Sequence, residues 1–216
     1  MIDFSRPIDN EEVFYPPLQL PGLLSIPAAA SGLVVFAHGS GSSRFSPRNM
    51  TVAAALNTCG FGTLLLDLLT EAEQDDRAYI FNIPLLTARL VAALDWINSI
   101  PELQRLPIGL FGASTGAAAA LSAAALFRER IGAVVSRGGR PDMARAVLAD
   151  VTAPTLLIVG GDDTDVLAFN RQAFELLRGP KALEVIVGAS HLFPEPGAMD
   201  QVIEHAAQWF RRYLNL

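Results

Sequence analysis

Between Gly112 and Gly116 the chain reads Gly-Ala-Ser-Thr-Gly, one serine centred between two glycines. An apolar run (Ile108, Gly109, Leu110, Phe111) precedes it and a run of small residues (Ala117 to Ala120) follows, a pattern of strand, sharp turn and helix. A serine at such a turn sits in strained backbone geometry. The positions two before and two after it must be nearly free of side chain, because strand and helix converge there. Ser114 then projects its hydroxyl from the top of a sheet, and the Thr115 amide, in the first helical turn, points at whatever that hydroxyl attacks. A serine hydroxyl is a weak nucleophile at neutral pH. It needs a base within hydrogen-bond reach and a third group to orient the base.

Four residues fall just beyond apolar, strand-like runs: His38, Ser114, Asp163 and His191. In an open parallel sheet, binding and catalytic groups collect at the carboxyl ends of strands. The order serine, aspartate, histidine is the order expected when the nucleophile sits on such an elbow. His191, closing Gly188-Ala189-Ser190-His191, is the candidate base. His205 lies on a polar helical stripe with Gln201, Gln208 and Arg212, where a solvated role is expected, and His38 is expected to serve its loop as a structural hydrogen-bonder. Asp163, closing Gly160-Gly161-Asp162-Asp163, is the preferred acid. Of its rivals, Asp162 should point away from its neighbour, and Asp165 suits an N-cap for a helix beginning near Val166. An oxyanion site needs two backbone donors. Thr115 N–H is one, and the loop after His38 should supply the other at Ser40, where Gly39 and Gly41 let the backbone approach. Arg137 and Arg140 follow a strand end, and Arg44 and Arg48 come from the loop on the oxyanion side. These arginines suit an anionic substrate group, although pairing with surface carboxylates is the favoured expectation.

The elements that must carry these residues alternate along the chain. Residues 13 to 27 read as an antiparallel hairpin turning at Pro21-Gly22, with prolines 16, 17, 21 and 27 suited to a sheet edge. Apolar strand-like runs then alternate with helical segments, the mark of a mostly parallel sheet with helices on both faces. Strands are expected at Leu33 to Ala37, Thr63 to Leu66, the elbow strand, Ala133 to Ser136, Thr155 to Val159 and Leu183 to Val187. Ser46-Pro47 gives an N-cap and first-turn proline for a helix to about Thr58, ended by Gly60. Leu86, Leu90, Ala93 and Ile97 recur at helical spacing, a short helix is expected over Asp142 to Ala149, and Val202, Ile203, Ala206, Trp209, Phe210 and Tyr213 form the apolar face of a terminal helix. About seventeen residues join the strand ending at Ser136 to the one starting near Pro154, which leaves little or no room for a cap domain.

With 216 residues, 51% of them hydrophobic, the chain can bury the core of one α/β domain spanning residues 1–216. A net charge of −6 provides no basic stripe for nucleic acid, which leaves a small molecule as the expected partner. No run is long enough to span a bilayer, so no membrane partner is expected. Met1 to Glu12 carry no signal-like apolar segment and Cys59 is the single cysteine, which together suit a cytoplasmic protein. Three histidines and one cysteine without ligand spacing suggest no metal, and no cofactor is expected. Gly39-Ser40-Gly41 invites a dinucleotide-binding reading, but Arg44 stands where the third glycine belongs.

These motifs, His-Gly-Ser at 38 to 40, Gly112 to Gly116, Gly-x-x-Asp at 160 to 163 and Gly-x-x-His at 188 to 191, resemble the α/β-hydrolase superfamily. Within it, the chain is similar to the small, lid-poor enzymes of the dienelactone hydrolase type. It also resembles hydrolase modules attached to phosphoribosyltransferase domains in some bacteria, a partner these residues do not contain. Dienelactone hydrolases proper carry cysteine at the elbow. Ser114 departs from that pattern while keeping the acyl-transfer chemistry. The resemblance implies a serine hydrolase acting on a small soluble ester, lactone or thioester through an acyl-enzyme, with Ser114 as nucleophile, His191 as base and Asp163 as its orienting acid. The alternative is a catalytically silent member of the fold that binds a ligand.

Overall fold

The computed structural model describes residues 2–214. Eight strands form one sheet in the order β1-β2-β4-β3-β5-β6-β7-β8, comprising β1 (Ile8–Tyr15), β2 (Leu20–Ile26), β3 (Leu33–Ala37), β4 (Gly62–Leu66), β5 (Ile108–Ala113), β6 (Ile131–Arg137), β7 (Thr155–Gly160) and β8 (Lys181–Ile186). From β4 across to β8 all neighbours are parallel, whereas β2 runs antiparallel to β4 and β1 antiparallel to β2. Every residue of β3, β4, β5 and β7 is buried. That explains why these strands read as continuous apolar runs rather than alternating ones.

The hairpin is present, but its turn lies elsewhere than the Pro21-Gly22 expected from the sequence. The chain reverses over residues 16–19, where Gln19 adopts φ 56°, and Pro21 and Gly22 sit inside β2 opposite Phe14 and Val13. Pro21 is tolerated in this second strand because pairing with β4 begins only at Gly22.

The first helix, α1 (Pro47–Thr58), starts as its sequence predicts. Ser46 is the N-cap, its hydroxyl accepts from the Asn49 amide, and Pro47 occupies the first turn. Between β4 and β5 come α2 (Arg77–Ile80), a single turn within the charged loop, then α3 (Ile83–Asn98) and the short α4 (Pro101–Gln104). Helix α5 (Thr115–Leu126) follows β5 with one residue between. A 3-10 segment over Pro141–Asp150, tighter than the short helix expected there, leads to β7. The last helices are α6 (Thr164–Leu176) and α7 (Ala198–Leu214).

Two apolar layers flank the sheet. On one face α3 and α5 bury Leu86, Leu90, Ala93, Ile97 and Leu121 against Leu64, Leu110 and Val134. On the other, α1 and α7 bury Val52, Leu56, Val202 and Phe210 against Val34, Phe36, Phe111 and Val135. Residues alternating along each strand serve the two layers in turn. Among the described residues, no helix is long and apolar enough to cross a membrane.

Candidate active site

Ser114 stands at the junction of β5 and α5 with φ 51° and ψ −120°, in the left-handed half of backbone space that non-glycine residues rarely occupy. The flanking glycines make this turn sterically feasible. A Cβ on Gly112 would lie 2.4 Å from Ala117 Cα, and one on Gly116 would lie 2.2 Å from the Ala37 carbonyl oxygen and 2.4 Å from that of His38. Helix α5 is thereby drawn down onto the ends of β5 and β3. Its small residues, Ala117 to Ala120, are fully buried beneath it. Ser114 also donates its N–H to the Arg137 carbonyl (3.3 Å) and accepts from the Arg140 N–H (3.1 Å), which ties the elbow to the end of β6.

His191 and Asp163 arrive from the ends of β8 and β7. His191 Nδ1 lies 2.6 Å from Asp163 Oδ2, with the imidazole more exposed than the carboxylate. Asp163 occupies the N-cap position of α6 but makes no capping hydrogen bond, so its carboxylate is free to orient the ring. Asp162 is exposed. Asp165 lies in the first turn of α6, because that helix begins at Thr164 rather than near Val166; the N-cap assigned to Asp165 from the sequence belongs to position 163. His191 is brought towards the elbow through Gly138, where a Cβ would stand 3.6 Å from His191 Cε1. No hydrogen bond joins Ser114 to His191 in this structure, and nucleophile-base contacts often tighten only when substrate binds.

The loop after β3 closes the other side. A Cβ on Gly39 would lie 2.9 Å from Ser114 Cβ, so this backbone touches the elbow directly. Ser40 and Thr115 line one small cavity of about 10 Å³ with Gly39, Leu69 and Ile80, large enough for a single water-sized group. Thr115 is the first residue of α5, so its amide has no partner within the helix. His38 is buried. Its Nδ1 donates to the Gly39 carbonyl (2.9 Å) and its Nε2 accepts from the Leu68 amide (3.2 Å), while burial holds its pKa below the usual histidine value. This ring is a structural brace for the loop.

The arginines separate into two groups. Arg44 bonds Asp67 through its amide (2.5 Å) and its guanidinium, and reaches Glu12 Oε1 at 2.8 Å. Arg140 forms a two-pronged pair with Asp142 (2.8 and 2.7 Å), and this partner raises its pKa. Arg137 is different: only 5% exposed, it donates to the neutral Asn49 Oδ1 at 3.3 Å and stands 5.9 Å over the Phe193 ring. Burial, with a smaller contribution from nearby Arg48, pushes its pKa down to about 10. Asn49 and Phe193 escaped the sequence reading. Asn49 is hidden in the first turn of an ordinary capped helix, and Phe193 is distinguished only by φ 55°. Among the described residues, no group of three or more metal-ligating side chains is present.

An eight-stranded, mostly parallel sheet with an antiparallel N-terminal hairpin, flanking helices and a serine elbow after β5 defines an α/β-hydrolase fold. The dienelactone hydrolase family model matches residues 20–216, and the chain belongs to that family. It is similar to a dienelactone hydrolase from Anabaena variabilis, with 51% identity, a TM-score of 0.93, and coverage of 98% of this chain and 100% of that one. Est1E from Butyrivibrio proteoclasticus shares the fold at 15% identity and a TM-score of 0.81, over 93% of this chain and 98% of its own. Proteins from two strains of Mycobacterium tuberculosis, named as candidate phosphoribosyl transferases, are 51% identical over 210 residues. The match covers 96% of this chain and 47% of those relatives, so the chain spans about half their length. Family and fold support a hydrolase.

Proposed function

We propose that the protein is a serine hydrolase cleaving a small soluble ester, lactone or thioester through an acyl-enzyme on Ser114. The observation that carries this reading is the 2.6 Å His191–Asp163 pair at the sheet edge where Ser114 is held in a strained elbow. His191 takes the serine proton as the hydroxyl attacks the carbonyl carbon, then returns it to the leaving group. Asp163 holds the ring tautomer and balances the imidazolium. The Thr115 and Ser40 amides receive the developing oxyanion. A water deprotonated by His191 then releases the acid and regenerates Ser114. With a 3-10 segment rather than an inserted domain between β6 and β7, the site has little cover, which favours small substrates over long lipids.

Labelling with a fluorophosphonate probe, followed by peptide mapping, tests this directly. Label is expected on Ser114 alone, to disappear in Ser114→Ala and His191→Ala, and turnover of an activated ester is expected to fall about 10⁴-fold in Asp163→Asn. Well-folded wild-type protein that takes no label would favour a ligand-binding protein without catalysis.

A further inference from the structure

A guanidinium removed from water retains its charge and needs compensation, ordinarily from a carboxylate with matched geometry. Arg137 has none. Its side chain leaves the last residue of β6 on the face covered by α1, its one hydrogen bond goes to a neutral amide oxygen, and its Nε is buried without a partner. Arg48, in the first turn of α1, lies close enough to disfavour the charge on Arg137, and its own Nε is likewise buried and unpartnered. Neither arginine belongs to any ion pair among the described residues. Glu195, two residues beyond Phe193, forms no ion pair with either arginine; Ser190 holds its pKa below the usual carboxylate value, and its Oε2 is buried without a partner.

Two like charges therefore converge, and a third contribution has the same sign. Arg48 and Asn49 occupy the first turn of the twelve-residue helix α1, so the positive end of its dipole lies beside them. Asn49 is 2% exposed; its backbone N–H donates to the Ser46 hydroxyl, and its side-chain oxygen accepts from Arg137. Phe193, buried on the other side, provides an aromatic face for the guanidinium. The strand end that carries Arg137 adjoins the reactive centre: the Arg137 carbonyl accepts the Ser114 N–H, and Gly138 packs against His191.

We propose that Arg137, Arg48 and the first turn of α1 form a subsite for a phosphate monoester group carried by the substrate, beside the bond that Ser114 attacks. Two guanidiniums and a helix N-terminus match a dianion better than a single carboxylate does, because a monoanion leaves one arginine uncompensated. The phosphate is a handle and is not transferred; its P–O bonds are untouched while the ester, lactone or thioester is hydrolysed. The assignment rests on the serine-hydrolase reading for its place beside the substrate, whereas binding of phosphate can be measured without catalysis.

The experiment is calorimetric titration of inorganic phosphate and of acetate into folded Ser114→Ala protein, with Arg48→Met and Arg137→Met added separately to that background. Phosphate is expected to bind, acetate to bind at least about tenfold more weakly, and each arginine substitution to weaken phosphate about tenfold or more. Arg48 is partly exposed, so its variant preserves the test if Arg137→Met does not fold. Absence of phosphate binding overturns the subsite. Phosphate affinity unchanged by the arginine substitutions, or acetate bound equally tightly, also overturns it. In parallel, hydrolysis of matched esters with and without a phosphate monoester should favour the phosphorylated one through a lower KM in wild type, and the preference should vanish in Arg48→Met. Binding of phosphate without that preference overturns the substrate assignment in favour of free phosphate. Failure of fluorophosphonate labelling tests the hydrolase reading separately.

Discussion

Asp163 occupies the position from which an aspartate would ordinarily cap a helix, and its carboxylate turns to His191 instead. The stability forgone at α6 is about 1 kcal/mol by comparison with side-chain caps generally. The histidines divide just as clearly. His38 has both ring nitrogens engaged by backbone groups, so its place in the fold depends on the neutral ring. Its pKa is held below the ordinary 6.5 chiefly by burial, hence the unfolded chain takes up the proton first as pH falls. The stability it contributes is complete above about pH 6.5 and is lost progressively below it. His38→Ala should therefore cost about 1–3 kcal/mol in urea unfolding by orphaning the Leu68 amide, and should flatten the decline of stability as pH falls below about 6.5. A decline as steep as wild type would assign that acid sensitivity to other groups. His38 and His191 could be told apart in the sequence because each follows a different strand and the chain order around Ser114 constrains the base. The state of the arginines could not. Pairing of Arg44 with Asp67 or isolation of Arg137 depends on which residues the sheet brings together across 23 or 88 positions of chain.

At the scale of elements, the elbow depends on contacts between backbones. Gly116 faces the carbonyl oxygens of Ala37 and His38, so a methyl group at that position must push α5 away from the loop that carries Ser40. Gly116→Ala should separate the two amides we propose for the oxyanion and lower fluorophosphonate labelling of Ser114 at least about a hundredfold, the range for losing one such donor. Circular dichroism would establish whether the variant is folded. Wild-type labelling in a folded variant would show that this contact does not set the position of Ser40. The same dependence on local geometry decides what was readable beforehand. The start of α1 was legible because Ser46, Pro47 and Asn49 settle it among themselves, and α3 because Leu86, Leu90, Ala93 and Ile97 mark one face. Pro21-Gly22 has the composition of a turn, but sheet pairing decides otherwise: Tyr15 pairs with Leu20, and the Tyr15 hydroxyl donates to the Asp67 carbonyl at 2.7 Å. The single turn of α2 has no periodicity to reveal it. Its only local signal is the Asp76 cap.

The molecule as a whole is closed by its last helix. Helix α7 lays Phe210 against the middle of the sheet, where a Cβ on Gly109 would come within 2.6 Å of the ring, and it meets Phe61 at a centroid distance of 6.3 Å. Leu214 approaches Gly32 just before β3, Gly109 near the start of β5 and Gly132 near the start of β6, so one side chain packs across three neighbouring strands. The N-terminal hairpin is equally committed, since β2 pairs with β4 and carries Leu24 into the opposite apolar layer. Both layers thus share the same strands, so loss of either one exposes a face of the sheet that supports the other. This arrangement predicts that residues 2–214 unfold as one cooperative unit. Phe210→Ala should lower stability by about 3–5 kcal/mol, as for large buried aromatics, with the urea midpoint reduced and the slope unchanged. Near-ultraviolet signals from Trp96, beside the α3 layer, and Trp209, in the α7 layer, should be lost together with the helical signal in that variant. Transitions that separate would mean that the α7 face opens alone, and Ser114, held between the layers, would then sit on a sheet whose two sides are only loosely coupled.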